Sequence, residues 1–170
     1  IIIIFTQYFN SPKHTMEHLH FFQDSKKASR DLSLLNAIEI NKILLELADA
    51  VDDHILYLLD ENEKDLKLMP EEDPRYDRLK LTASIISGIA QDIRQIAELP
   101  DPIGTVLSEK LMPNGLKIAK VRVPLGVVGV IYESRPNVTL DVFTLCFKTG
   151  NVCVLKGGSD AEFSNKAIIS

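Results

Sequence analysis

Two short polar stretches stand where apolar runs stop, and they hold most of the side chains in this sequence that could do chemistry. VVGVIY, residues 127–132, breaks off into ESRPN, and VCVL, residues 152–155, breaks off into KGGS. If each apolar run is a buried parallel strand, both polar stretches fall at the carboxyl ends of neighbouring strands, where open α/β sheets bind ligands. Together they offer Glu133, Ser134, Arg135, Asn137, Lys156 and Ser159. The backbone N–H groups of two helix starts lie there as well, and these favour anions. This is the chemistry of an anion or nucleotide site. The spacing does not name a reaction. The dinucleotide pattern G-x-G-x-x-G is absent, because Gly126 and Gly129 come before or within the strand, and Gly157-Gly158 alone is weak evidence. Each polar residue also has a plain structural role open to it. Asn137 can cap the following helix, Arg135 can pair with Glu133 or a helix C-terminus, and Lys156 can be an ordinary strand-end lysine.

The elements that must position these groups can be read outward from them. NVTLDVFTLCFKT, residues 137–149, is apolar nearly all round and lies between Pro136 and Gly150, the proline-first and glycine-last asymmetry of a helix. Strand, helix and strand within about 30 residues make a βαβ unit. LKGGSDAEFSNKAIIS then opens a further helix. Two strands are not a finished sheet, and Ile168 and Ile169 would lack a covering layer. The expectation is therefore that the gene continues beyond Ser170 or that a second chain completes the fold. Upstream, LSEKLMPNGLKIAKVRVPLG alternates around Asn114-Gly115, a strong hairpin signal, with one slip of register between Ile118 and Val121 that a bulge would explain. LPDPIG, residues 99–104, is a proline-marked linker.

From Met16 to about Leu99 the text is helical. Ile40, Ile43, Leu44, Leu47 and Val51 recur at three- and four-residue steps, as do Ile86, Ile89, Ile93 and Ile96. Interruptions at Asp52-Asp53 and between Pro70 and Pro74 divide this layer into three or four helices. The opening IIIIFTQYF is too short to cross a bilayer and lacks a positive flank, so it reads as neither a transmembrane helix nor a signal peptide. Residues 1–15 are expected to be artefactual or disordered.

Bulk properties narrow the function classes. With 170 residues, 45% of them apolar, the chain can bury a real core. The net charge of −5 is matched by residues 60–73 alone, where seven acids face two lysines, most simply on a solvated face. Residues 117–170 carry seven Lys or Arg against four acids, too small an excess for a nucleic-acid surface but compatible with a small anionic ligand. Cys146 and Cys153 sit in apolar text with no zinc or redox spacing. They read as reduced core thiols of a cytoplasmic protein. His14, His18, His20 and His54 show no metal-ligand pattern.

PLGVVGVIYESRPNVT, followed by CFKTGNVCVLKGG, resembles the γ-glutamyl phosphate reductases, also called glutamate-5-semialdehyde dehydrogenases, a branch of the aldehyde dehydrogenase superfamily. The resemblance runs through DPRYDRLKLT, IAELPDPIG and NGLKIAKVRVPLG and covers roughly Ser25 to Ser170. It implies an α/β, aldehyde-dehydrogenase-like fold. Residues 16–104 would form an N-terminal helical layer, 105–125 a β-hairpin for oligomerisation, and 126–170 the incomplete start of a Rossmann-like cofactor domain. It implies NADPH-dependent reduction of γ-glutamyl phosphate to glutamate 5-semialdehyde and phosphate, in proline biosynthesis, by a homo-oligomer without nucleic-acid or membrane partners. By the same resemblance Lys156 would bond the adenosine ribose, and Gly157 and Gly158 would keep the backbone open to the cofactor. Ser159 would stand where NAD-preferring relatives carry a glutamate that repels a 2′-phosphate. The oxyanion donor would be Asn137 if the alignment carries a two-residue gap and Arg135 or Ser134 if it carries none; with Asn137 in that role, Arg135 with Ser134 would contact substrate phosphate or carboxylate. The family's chemistry runs through a cysteine thioester. That cysteine lies downstream of Ser170, so the expectation is that this chain alone is inactive. The alternative is a non-catalytic module that oligomerises or binds nucleotide without turnover.

Overall fold

A computed structural model describes residues 2–4 and 14–170, with side chains from residue 20 onward. The helical layer comprises α1 (His14–Leu32), α2 (Ala37–Asp53), α3 (Ile55–Lys67), the single turn α4 (Tyr76–Leu79) and α5 (Ala83–Glu98). That is one more helix than the interruptions predict, because the proline-rich connection holds α4. Local chemistry sets the starts. Asn36 forms a capping box with α2: its Oδ1 accepts from Ile38 N at 2.9 Å and Glu39 N at 3.1 Å, and its own N–H donates to Glu39 Oε2 at 2.9 Å. Thr82 Oγ1 accepts from Ile85 N at 3.2 Å and starts α5. The predicted stripes meet: Ile40, Leu44 and Val51 of α2 are buried against Ile86, Ile89 and Ile93 of α5. Ile43, also in the predicted stripe, lies on the exposed side. Arg94 reinforces the pair from its rim, donating to Asp49 at 2.7 Å and Asp52 at 2.9 Å.

The hairpin forms where Asn114-Gly115 predicts it, with β2 (Val106–Leu111) antiparallel to β3 (Lys117–Val121). Gly115 takes φ +83°, and Asn114 Oδ1 accepts from Leu116 N at 3.1 Å. The irregularity is real but sits across the ladder. Val106 and Ser108 pair with Val121 and Lys120, so the extra residue is Leu107 on β2, opposite the apparent slip. Every residue of both strands is exposed.

The sheet contains β4 (Val127–Ile131) and β5 (Val152–Lys156), joined by α6 (Asn137–Lys148) and followed by a 3-10 turn (Ser159–Ala161) and α7 (Glu162–Ile169). A further strand, β1 (Ile2–Ile4), pairs parallel with the other edge of β5, giving the order β1-β5-β4. The expectation that residues 1–15 are artefactual or disordered falls otherwise on residues 1 and 5–13, outside those described, and on the start of α1. β5 is the central strand, and Val152, Cys153, Val154 and Leu155 are all buried. Among the described residues β4 pairs on one side alone. Val127 and Ile131 are exposed and Val128 and Val130 only half-buried. Gly150 ends α6 at φ +71°, where a Cβ would stand 2.8 Å from Ile103 Cδ1 and 2.9 Å from Pro124 Cγ. Glycine is the residue that fits there.

The acidic run between residues 60 and 73 is not simply a solvated face. Asn62 and Asp65 on α3 are buried. Asp65 accepts from Phe163 N at 3.0 Å, Ser164 N at 2.8 Å and Ser164 Oγ at 2.6 Å. Asn62 donates to Leu79 O at 2.9 Å and to Ser164 Oγ at 3.0 Å, and accepts from Leu81 N at 2.8 Å. These bonds dock α7 on the helical layer. Ile168 packs on the main core while Ile169 stays partly exposed, so the predicted lack of cover holds for one of the two.

Candidate functional site

The parallel register sets Ile131 opposite Lys156, and Tyr132 N donates to Lys156 O at 3.1 Å. The two polar loops therefore leave adjacent strand ends side by side. They also run close together: a Cβ added on Gly158 would lie 3.5 Å from both Glu133 Cα and Ser134 N, an ordinary van der Waals distance.

Ser134 is the most constrained residue of the first loop. It is 2% exposed and holds φ +43°, in the left-handed region that costs a side-chain-bearing residue about 1 kcal/mol. Its Oγ donates to Asp160 Oδ2 at 3.0 Å, from the turn after the second loop. The same carboxylate oxygen accepts from Arg75 Nη1 at 2.7 Å. Arg75 is itself clamped by Asp73, through Nε at 3.0 Å and Nη2 at 2.7 Å. That clamp holds the Asp73 carboxyl down to about 2, through the Arg75 side chain and then its backbone N–H, and raises Arg75 further above its usual range. Asp73, Arg75 and Asp160 were not among the sequence-derived candidates. The signal for Asp73 and Arg75 was DPRYDR, residues 73–78, which carries the family resemblance but lies far along the chain from β4 and β5; Asp160 stands directly after the KGGS stretch.

The remaining candidates divide. Arg135 is exposed, and its guanidinium makes no hydrogen bond or ion pair among the described residues. Asn137 is the first residue of α6 but does not cap it. Its Nδ2 donates to Asp141 Oδ2 at 3.1 Å, one turn along the same helix. Burial raises the Asp141 carboxyl, with Asn137 opposing the shift and Asp92 adding to it. Lys156 is half-buried and its Nζ donates to Gly157 O at 3.2 Å; Ser159 is exposed at the start of the 3-10 turn.

Two expectations need correction. Gly157 does not open the backbone to a ligand: it is buried, and a Cβ there would meet Asn165 Nδ2 at 2.4 Å and Tyr132 OH at 3.2 Å. Its glycine serves close approach to a buried polar cluster, in which Asn165 Oδ1 accepts from Thr139 Oγ1 at 3.1 Å and Tyr132 OH at 3.4 Å. Burial raises the Tyr132 phenol, with its bond to Thr139 opposing. Nor is the start of α7 free for an anion. Its N–H groups at Phe163 and Ser164 already donate to Asp65.

Both cysteines lie away from the strand ends. Cys153 is 1% exposed within β5, and the neighbouring Cys146 thiol and then burial push its thiol up. Cys146 is half-buried on α6. Among the described residues no group of three or more His, Cys, Asp or Glu could hold a metal ion. No described helix is long and apolar enough to cross a membrane. A groove of about 730 Å³ lies elsewhere, lined by Leu47, Val51, Tyr57, Leu140, Phe143 and Ile168.

A helical layer, an exposed hairpin and a parallel βαβ unit with paired polar strand ends define an aldehyde-dehydrogenase-like fold. A solved structure of a probable aldehyde dehydrogenase from Listeria monocytogenes matches 92% of this chain and 34% of its own at a TM-score of 0.64, with 19% identity, a likeness of fold alone. The γ-glutamyl phosphate reductase structure from Thermotoga maritima matches 89% of this chain and 37% of its own at a TM-score of 0.84 and 36% identity. The γ-glutamyl phosphate reductase of Bacteroides thetaiotaomicron is 55% identical over 149 residues, 88% of this chain. Over most of its own length the chain is similar to the γ-glutamyl phosphate reductases, and it spans 36% of the length of that relative. No family model matches it.

Proposed function

We propose that this chain supplies the helical layer, the hairpin and the first half of the cofactor site of an NADPH-dependent reductase. The enzyme would convert γ-glutamyl phosphate to glutamate 5-semialdehyde and phosphate in proline biosynthesis. The observation that carries the reading is the pairing of the two strand-end loops, one presenting an unpaired arginine and the other a lysine followed by a small neutral residue. The cofactor, when bound, supplies the hydride. The residues fit it on electrostatic grounds: Ser159 is neutral and exposed, and the nearby Asp160 carboxylate is already matched by Arg75. Lys156, whose ammonium among the described residues donates to the carbonyl of its own neighbour alone, would turn it to the ribose hydroxyls. Gly158 would form the floor between the loops, while Gly157 shapes it from beneath.

On the substrate side, Arg135 would take a phosphate or carboxylate with its bidentate fork. Ser134, committed to Asp160, would hold the loop that carries it. Asn137 would serve as oxyanion donor through the amide hydrogen not given to Asp141, with Asp141 fixing the amide's orientation. The hairpin would oligomerise with a second copy. A two-stranded hairpin alone is marginal in water, and Leu111, Val123 and Leu125 at and beside it are more than two-thirds exposed. The compartment would be the cytoplasm, matching the reduced thiols.

The test is cofactor preference. Ser159→Glu should weaken binding of NADPH relative to NADH, by repulsion of the 2′-phosphate; an unchanged preference would remove Ser159 from the site. The second reading, a module that oligomerises or binds nucleotide without turnover, is favoured by the placement of Cys146 and Cys153. Neither sits where a nucleophile could reach a substrate at the strand ends. Substituting this chain for the matching segment of a full-length γ-glutamyl phosphate reductase separates the two: absorbance loss at the nicotinamide band with γ-glutamyl phosphate and NADPH supports the reductase, and binding without loss supports the module.

A further inference from the structure

We propose that Arg75 is a positioning residue that reserves the Asp160 carboxylate and so keeps Arg135 available to an external phosphate-bearing ligand. The inference rests on the reading of the strand ends as an anion site and adds to it a residue from the helical layer. Three segments far apart in sequence converge on one carboxylate oxygen: Arg75 Nη1 at 2.7 Å and Ser134 Oγ at 3.0 Å both donate to Asp160 Oδ2. Asp73 holds the other edges of the Arg75 guanidinium at 2.7 and 3.0 Å, so its fork is fixed in the direction of Asp160. Arg135 follows Ser134 directly, and an arginine side chain one residue from a bonded serine can reach the carboxylate that serine touches. Yet Arg135 is exposed and unpaired among the described residues. The occupied carboxylate explains this. With its charge matched and one oxygen holding two donors, Asp160 offers little to a second guanidinium. Without Arg75, Asp160 would capture Arg135 and the site would mask itself.

The test uses inorganic phosphate as the probe and NMR of the Arg135 side-chain Nε–H and the Ser134 amide on the intact chain. Arg75→Gln should shift the Arg135 signal and slow its exchange before any ligand is added. It should also weaken phosphate binding about threefold to fivefold, the strength of an exposed ion pair. Adding Asp160→Asn to Arg75→Gln should return both readouts to the wild-type values, a rescue that a merely structural tie would not give. Asp160→Asn alone, which keeps an acceptor for Ser134, should leave phosphate binding unweakened. If Arg75→Gln leaves the ligand-free Arg135 signal in place, or Asp160→Asn fails to rescue, the proposal is overturned. If capture and rescue occur in the ligand-free spectra while phosphate moves nothing in the wild type, the positioning role stands and the anion-site reading falls.

Discussion

The loop after β4 and the loop after β5 leave neighbouring strand ends, yet they are built oppositely. The first is locked: Ser134 is buried, strained and tied through Asp160 to Arg75. The second is rigid only at its base, where Gly157 lies against Asn165, and beyond its 3-10 turn, where Asp65 caps α7. Between these points, among the described residues, the side chains of Lys156 and Ser159 make no hydrogen bond or ion pair to another segment, and Gly158 leaves room for a Cβ at ordinary van der Waals distance from Glu133 and Ser134. A site that needs one wall fixed and one wall adaptable is served by this division. It also shows that adjacent loops with similar polar text need not share a role.

The sharpest way to break the comparison is to remove what anchors the far end of the second loop. Asp65→Ala leaves Phe163 N, Ser164 N and Ser164 Oγ without their acceptor and should cost about 3 kcal/mol in chemical denaturation. A loss below about 1 kcal/mol would mean α7 is held otherwise. Next comes the base. Gly157→Ala forces a methyl group onto Asn165 and should cost about 2 kcal/mol, whereas Gly158→Ala, with ordinary contacts, should stay within about 0.5 kcal/mol. Equal effects would erase the distinction between base and floor. In the first loop, Ser134→Ala loses a hydrogen bond and keeps the strain, for about 1 kcal/mol of destabilisation. Ser134→Gly loses the bond but relieves the strain and should come out near zero.

Acid should leave the Asp73–Arg75 clamp in place longer than an ordinary carboxylate pair. The folded carboxyl at about 2 lies below its free value of 3.8. Its contribution is therefore complete above the free value and lost as pH falls through about 2. Carbon-13 titration of Asp73 should give that midpoint, and a midpoint near 3.8 would show the clamp to be open in solution.

Much of the fold was legible in the sequence because its signals are local. The Asn114-Gly115 turn, the α2 and α5 stripes, and α6 between Pro136 and Gly150 all follow from residues within a few positions of one another. What escaped depends on distance along the chain. VVGVIY and VCVL look equally apolar, but only pairing tells that, among the described residues, β5 is flanked on both edges and β4 on one. Asp65 reads as one acid in a charged run, and its burial is settled by a helix nearly one hundred residues away. The site divides the same way. Strand-end position identified Ser134, Arg135, Asn137, Lys156 and Ser159 as candidates. It could not reveal that Arg75 reaches Asp160, that Asp141 holds Asn137, or that Gly157 faces inward.

The central claim is that the paired strand ends bind the cofactor, and amide NMR on the isotope-labelled chain titrated with NADPH tests it most directly. The account predicts that the signals of Lys156, Gly158 and Ser159 move first, that NADH moves them less, and that the hairpin signals stay in place. Shifts confined to the groove lined by Leu47, Tyr57 and Phe143, or equal responses to the two cofactors, would contradict it.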